Sequence, residues 1–302
     1  MGGILGVSRS RAIRLVTAFT VVWWGFVGVT PGQAAEAVLV GAGDIANCNS
    51  AADVATARLI GSIGGTVFTL GDNAYGSGSD RQFDNCYGPT WGRFKGRTRP
   101  AIGNHEYRTK GADGYFDYFG SRAGPRGKGW YSYNVGSWHV IVLNGNCGKV
   151  GCGKGSAQER WLRADLAKHN NRCTLAYWHQ ARFVSDKVHG NHPQVAPFWD
   201  ALYDYGAELV LSAHAHVYER FAPQTPSGKA DPSHGIRQIV VGTGGGNHYR
   251  FGSPRANSQV RNANTHGVLK LTLKSDGYDW RFIPTAGRTF RDSGSGSCHG
   301  RP

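Results

Sequence analysis

One pattern recurs along the chain and limits its fold more than any other feature. A short apolar run, rich in β-branched residues, stops at Asp, Asn or His. The runs are AVLVGAGD (Ala37 to Asp44), GTVFTLGD (Gly65 to Asp72), RPAIGNHE (Arg99 to Glu106), WHVIVLN (Trp138 to Asn144), CTLAYWH (Cys173 to His179), ELVLSAHAH (Glu208 to His216) and RQIVVGTGGGNH (Arg237 to His248). Such runs read as buried strands. Helical stretches fall between them. One covers Ala51 to Ile60. A second opens at the capping box Ser156-Ala157-Gln158-Glu159 and continues to about Lys168, and a third covers Val195 to Tyr205. Strand, helix, strand predicts an α/β fold, in which ligands bind beyond the carboxyl ends of the strands.

Near the end, GVLKLTL (Gly267 to Leu273) and YDWRFIP (Tyr278 to Pro284) predict two strands around a Ser275-Asp276-Gly277 turn. The Gly/Ser-rich tail from Asp292 is expected to be ordered only by Cys298. No linker or low-complexity break divides residues 37–302, so a single domain is expected there.

Residues 1–35 read as a signal peptide. Arg9, Arg11 and Arg14 precede the apolar stretch Leu15 to Val29, and Pro31, Gly32 and small residues follow. The arginines are not a twin pair, so ordinary secretion is predicted. No long apolar run follows residue 40, which excludes a polytopic membrane protein. The six cysteines suit export, being even in number and forming no C-x-x-C pair. Cys147 and Cys152 bracket a short loop and are expected to pair. Cys48–Cys86 and Cys173–Cys298 complete the preferred arrangement, although spacing alone leaves other pairings open.

The formal charge is +14, from 34 Lys and Arg against 20 Asp and Glu. A basic protein attracts anions, among them phosphate esters and nucleic acid. Gly reaches 45 residues without a Gly-X-Y period, which suits many tight loops and excludes collagen.

The polar residues at the run ends are Asp44, Asp72, Asn104, His105, His179, His214 and His216, with Tyr75 three residues after Asp72. Carboxylate, amide and imidazole together form a donor set for zinc, iron or manganese. Each member alone has an ordinary explanation, such as a turn or a core histidine. On a strand, His214 and His216 point to the same face and can meet one centre; at a strand end followed by a loop they can instead serve adjacent metals.

The order of the set is more specific than its members. Gly43-Asp44-Ile45-Ala46, Gly71-Asp72-Asn73-Ala74-Tyr75, Gly103-Asn104-His105-Glu106, Trp178-His179-Gln180 and Ala213-His214-Ala215-His216 follow one another. This series resembles the calcineurin-like metallophosphoesterases. Ala46 stands where their first motif often places His, and Tyr75 offers a replacement donor. That exchange, with His216-Val217-Tyr218-Glu219-Arg220, resembles the purple acid phosphatase branch. Ala213 and the pair Gln180-Ala181 depart from the family pattern without removing a ligand.

The resemblance implies a β-sandwich of two mixed sheets flanked by helices, and a pair of metal ions. The first ion would take Asp44, Asp72, Tyr75 and His216, with iron(III) favoured by a phenolate. The second would take Asp72, Asn104, His179 and His214 as zinc, iron or manganese, with Asp72 bridging. The implied chemistry is acid-phosphatase-like hydrolysis of phosphate monoesters by water made nucleophilic by the metals. His105 would contact the phosphate and protonate the leaving oxygen, and His189 would be a second substrate histidine, with His192 as an alternative. Glu106 would orient His105 or anchor its loop. His139 is expected in the core, and His248 lies on a loop within reach of the site. The Gly242 to Gly246 run reads as a flexible turn rather than a phosphate cradle.

Two other readings use the same residues. One is a phosphodiesterase or nuclease, with nucleic acid as substrate only. The other is a non-catalytic, metal-stabilised binding protein. No nucleic-acid motif supports the former. The cost of burying carboxylates without a partner argues against a vestigial site.

Overall fold

The computed structural model describes residues 1–6, 8 and 36–301. The predicted leader falls outside the described residues over 9–35. Among the described residues, no helix is long and apolar enough to cross a membrane.

Two mixed sheets face each other. In the first, β1 (Ala37–Ala42), β2 (Thr66–Leu70) and β3 (Thr98–Ala101) are parallel neighbours. Strands β11 (Gly267–Leu273), β12 (Gly277–Pro284) and β13 (Asp292–Ser297) extend it from β1 in antiparallel fashion. In the second, β5 (Trp138–Val142), β6 (Cys173–Gln180), β7 (Leu209–Ala213) and β9 (Arg237–Val241) are parallel neighbours. Strand β4 (Tyr131–Val135) closes one side of this sheet, and β8 (Tyr218–Phe221) with β10 (Ser258–Asn262) closes the other.

The two-residue side-chain period explains how the second sheet is filled. Leu175 and Tyr177 of β6 and Leu209, Leu211 and Ala213 of β7 face the first sheet, meeting Phe68 and Leu70 of β2. Ala176, Trp178 and Val210 face the other way, beneath the helices Ala157–Lys168 and Ala196–Asp204. Burying each large apolar side chain in these layers stabilises the fold by roughly 1.5–3 kcal/mol. The strands therefore read as continuous apolar runs, since both of their faces are covered.

Helix Ala52–Ser62 covers the first sheet and lies close to the predicted span. Its Thr56 hydroxyl donates to the Gly244 carbonyl at 2.6 Å and accepts from Trp91 Nε1 at 3.0 Å, which pins the glycine loop in place. The helix Ala157–Lys168 is capped as its sequence predicts, with Ser156 Oγ accepting from Glu159 N at 3.2 Å. Glu159 returns the bond one residue earlier than the capping-box pattern, accepting from Gly155 N at 2.9 Å. The disulfides are Cys48–Cys86, Cys147–Cys152 and Cys173–Cys298, the preferred pairing.

The tail departs from expectation. Asp292–Ser297 is a full edge strand, paired with β12 from Phe282↔Asp292 to Gly277↔Ser297. Its composition hides this, since Gly and Ser are poor strand formers. The small residues are needed because Trp280 and Tyr278 lie across them. A Cβ on Gly294 would meet the Trp280 ring at 2.4 Å, and one on Gly296 would meet the Tyr278 ring at 2.6 Å.

Candidate metal centre

The parallel strands β1, β2, β3, β6 and β7 present their carboxyl ends at one side of the sandwich, and the predicted ligands meet there. The first two loops continue side by side beyond their strands. Asp44 N donates to Gly71 O at 3.1 Å, Ile45 N to Asp72 O at 2.9 Å and Ala46 N to Asn73 O at 3.0 Å. Tyr75 N then donates to Ala46 O at 2.8 Å. Ala46 is fully buried, and the strand-like pairing Ala46↔Ala74 brings the Tyr75 ring toward Asp44. Ala46, at the position where the sequence pattern led to an expected histidine, thus supports the backbone of the candidate donor Tyr75.

Tyr75 Oη lies 2.8 Å from Asp44 Oδ1 and 2.9 Å from His216 Nε2, and His216 Nε2 lies 3.4 Å from Asp44 Oδ1. His216 Nδ1 donates to Asn247 O at 2.6 Å. In a neutral imidazole this leaves Nε2 with its lone pair toward Tyr75 and Asp44. The second group surrounds His179. Its Nε2 lies 3.1 Å from Asn104 Oδ1, 3.1 Å from His214 Nδ1 and 3.3 Å from Asp72 Oδ2. His179 Nε2 is also 3.9 Å from Asp44 Oδ1, so the two groups adjoin.

Electrostatics favour positive charge here. Burial opposes protonation of His179, yet Asp72, Asp44 and the Leu70 carbonyl hold its pKa up at about 9. His214 beside it is pushed down to about 2 by burial and by the charge of His179. Burial alone would raise Asp72, but His179 and His105 hold it below the ordinary carboxylate value. Burial, with Asp44 and Asp72, raises the Tyr75 phenol well above 10. Acceptors thus converge on two points with few protons to share. A cation at each point satisfies them together, and mixed N and O donors suit zinc, iron or manganese. The residues present fit a metal pair.

The backbone is strained at the same places. Asp44, Asp72, His214 and His216 have φ values of 57°, 48°, 71° and 48°. A left-handed conformation at a non-Gly residue costs on the order of 1–3 kcal/mol and clusters at functional sites. Close approach also explains two glycines. A Cβ on Gly103 would lie 2.1 Å from Asp72 Oδ1, and one on Gly242 would lie 2.5 Å from Asp44 Oδ2. The Gly242 to Gly246 run is therefore a close-packed floor beneath Asp44 and His216, not a flexible turn.

The candidate substrate histidines lie at the rim. His105 Nδ1 is 2.8 Å from Gly76 O and so carries a hydrogen, which leaves Nε2 toward the centre, 3.9 Å from Asp72 Oδ2. Its pKa is lowered by burial, against the pull of Asp72. The His189 ring lies over His214, with centroids 3.8 Å apart. Burial lowers its pKa too. His192 is more distant, 6.3 Å from His214 between centroids.

Glu106 anchors its loop; no hydrogen bond joins it to the His105 ring among the described residues. Fully buried, it accepts from Asp72 N (3.1 Å) and Gly103 N (2.7 Å) through Oε2, and from Asn73 N (2.7 Å) and Ala74 N (3.3 Å) through Oε1. It clips the Asp72 loop to the Asn104 loop. Burial and the Asp72 charge raise its pKa to about 7, against the backbone N–H groups.

His248 sits behind the centre, where Nδ1 donates to His216 O at 2.9 Å. Sequence reasoning missed Tyr249, whose ring stacks on His216 at 4.3 Å. A lone Tyr after a glycine loop carries no distinguishing pattern. His139 is core, as expected. It forms a further group with Asp165 and His169, in which Asp165 Oδ2 is 2.6 Å from His139 Nε2. The two rings of that group stack at 16°. An ion lies near the plane of each imidazole it binds, and the planes of rings stacked 3.9 Å apart at this angle meet only well beyond bonding distance.

Comparison with known proteins agrees with this arrangement. The profile of the calcineurin-like phosphoesterase family matches residues 34–218. Purple acid phosphatase 15 of Arabidopsis thaliana is 29% identical over 173 residues, covering 51% of this chain and 32% of that protein. An uncharacterized protein of Mycobacterium tuberculosis is 31% identical over 183 residues, covering 48% of this chain and 35% of its own. The match therefore spans about a third of the length of these relatives. Purple acid phosphatase PPD1 from yellow lupin seeds superposes with a TM-score of 0.72 at 17% identity, covering 89% of this chain and 55% of that one. Its fold of two mixed sheets flanked by helices is the fold seen here.

Proposed function

The chain belongs to the calcineurin-like phosphoesterase family, and from that premise we propose that it is a secreted phosphatase acting on phosphate monoesters with two bound metal ions. The observation that carries this reading is the convergence of Asp44, Tyr75 and His216 on one point, and of Asp72, Asn104, His179 and His214 on the adjoining one.

The first group, with Asp72 as the shared carboxylate, would hold iron(III). The second would hold zinc, iron or manganese. When bound, such a pair neutralises phosphate charge and makes water more acidic. The chain's own residues do the remaining work. The buried carboxylates and strained loops fix the donors before substrate arrives, so little reorganisation is needed during reaction. The Gly76 carbonyl binds the Nδ1 hydrogen of His105 and so turns Nε2 to the site, where the ring in its protonated form delivers a proton to the leaving oxygen; burial lowers the pKa of the ring, so this form is favoured at acid pH. His189, stacked over His214, contacts the phosphate from the other side.

Three disulfides suit an oxidising compartment and support export directed by residues 1–35. The test uses metal-loaded and chelator-treated protein on p-nitrophenyl phosphate and bis-p-nitrophenyl phosphate. Metal-dependent turnover of the monoester in preference to the diester is expected. Preference for the diester would replace the proposal with a phosphodiesterase. No turnover of either, with both ions bound, would leave a binding protein.

A further inference from the structure

Behind the second ligand group lies a buried chain of side-chain amides that the proposed chemistry does not use. Asn146 is 8% exposed. Its Nδ2 donates to Asn144 Oδ1 at 2.9 Å, and also points at Gly103 O (3.3 Å) and Ile102 O (3.5 Å). Its Oδ1 accepts from Gln180 Nε2 at 3.0 Å. Gly103 immediately precedes Asn104, and Gln180 immediately follows His179. One amide therefore grips the backbone just before one candidate ligand and the side chain just after another.

The far end of this chain is also fixed. Gln158 bonds both backbone groups of Asn144, accepting from its N at 2.7 Å and donating to its O at 3.0 Å. Asn144 Nδ2 donates to Tyr107 Oη and to Lys128 O, each at 2.8 Å. Asn146 itself has less support. It precedes the one-turn helix Cys147–Val150, whose backbone bonds are local, such as Lys149 N to Asn146 O at 2.8 Å and Gly151 N to Cys147 O at 3.0 Å. Gly148 and Lys149 are exposed. The Cys147–Cys152 disulfide, which starts at the next residue, is the covalent restraint on this segment.

We propose that Asn146 is a positioning residue for the second metal, setting the separation of Asn104 and His179, and that the Cys147–Cys152 staple holds it in place. The proposal rests on the dinuclear reading above. Partners of this kind fix ligand orientation, and losing one typically lowers metal affinity or activity by about 10–100-fold. Asn104 lies on the loop after β3 of the first sheet and His179 near the end of β6 in the second, so their separation is not set by either sheet alone. Asn146 bridges that gap without touching either donor atom.

The experiment compares wild type, Asn146→Ala and C147S/C152S. Metal content is measured by elemental analysis, and affinity by chelator competition followed through calorimetry. The iron-tyrosinate absorption band reports the first ion separately. Asn146→Ala is expected to lose about 10–100-fold in affinity for the second ion only, with the first ion and its band unchanged. C147S/C152S should show a smaller loss in the same direction. Should Asn146→Ala fail to fold, C147S/C152S decides by the same readouts. Two ions held at wild-type affinity in the variant would overturn the proposal, as would equal loss of both, which marks general disorder. A wild-type protein that binds no metal would instead overturn the dinuclear reading itself.

Discussion

Tyr75 Oη lies 2.8 Å from Asp44 Oδ1, although the two residues are far apart in the chain. Burial and the nearby carboxylates of Asp44 and Asp72 hold the phenol in its protonated form, so ionisation there requires a strong cation. Iron(III) is expected to produce a visible tyrosinate band in wild type. Tyr75→Phe should abolish that band and weaken the first ion by at least about 10-fold. An unchanged spectrum in the iron-loaded variant would remove Tyr75 from the ligand set.

Asp72 is the candidate shared ligand. It is 1% exposed, and its carboxylate lies within reach of His179 and His105. Asp72→Ala should reduce both metal content and turnover by more than the roughly 100-fold typical of an outer partner. Full metal occupancy in this variant would show that the two ligand groups are independent of Asp72.

Glu106→Gln replaces an acceptor of four backbone N–H groups with one that has a single acceptor oxygen. The new amide N–H groups would face backbone donors. Hydrogen bonds to a charged group are worth about 1.5–3 kcal/mol, so thermal stability should fall on that scale. Metal affinity should fall about 10–100-fold, since the clip sets the distance between the Asp72 and Asn104 loops. Loss of stability with unaltered affinity would limit Glu106 to folding.

Asp292 offers a test at low pH, away from the metal centre. Tyr218 Oη and Arg220 Nε donate to its Oδ2 at 2.6 and 2.7 Å, and Trp280 Nε1 does so at 3.1 Å. Burial acts to raise its pKa, but Arg220 and Tyr218 outweigh it, so the folded value lies below the ordinary 3.8. The resulting stabilisation is present above the unfolded value and is lost as pH falls through the folded one. Asp292→Asn should cost about 2 kcal/mol at pH 7, roughly 4–8 °C in Tm, and much less near pH 2. An equal deficit at both pH values would show that ionisation of Asp292 contributes nothing.

Much of this protein could be read from its sequence by itself. A strand end is a local event, and so is the Asp, Asn or His that follows it. Apolar runs at regular intervals therefore pointed to the α/β layers, and the ordered motifs singled out Asp44, Asp72, Asn104, His179, His214 and His216 as candidate ligands. Cysteine spacing favoured Cys147–Cys152 and left the pairing of the other four cysteines open; the structure joins Cys48 to Cys86 and Cys173 to Cys298.

What the tertiary structure decided concerns partners distant in sequence. The tail strand is recognisable only once Trp280 and Tyr278 are seen lying across its glycines. Tyr218 and Arg220, read as a family signature, prove to bind Asp292 and so join β8 of one sheet to β13 of the other. Glu106, Asn146 and Tyr249 likewise owe their places to three-dimensional neighbours. A hydrogen bond or stacked ring depends on distance in space, which local patterning does not encode. Sequence periodicity reports which face of a strand is buried; only the packed sheets determine what it is buried against.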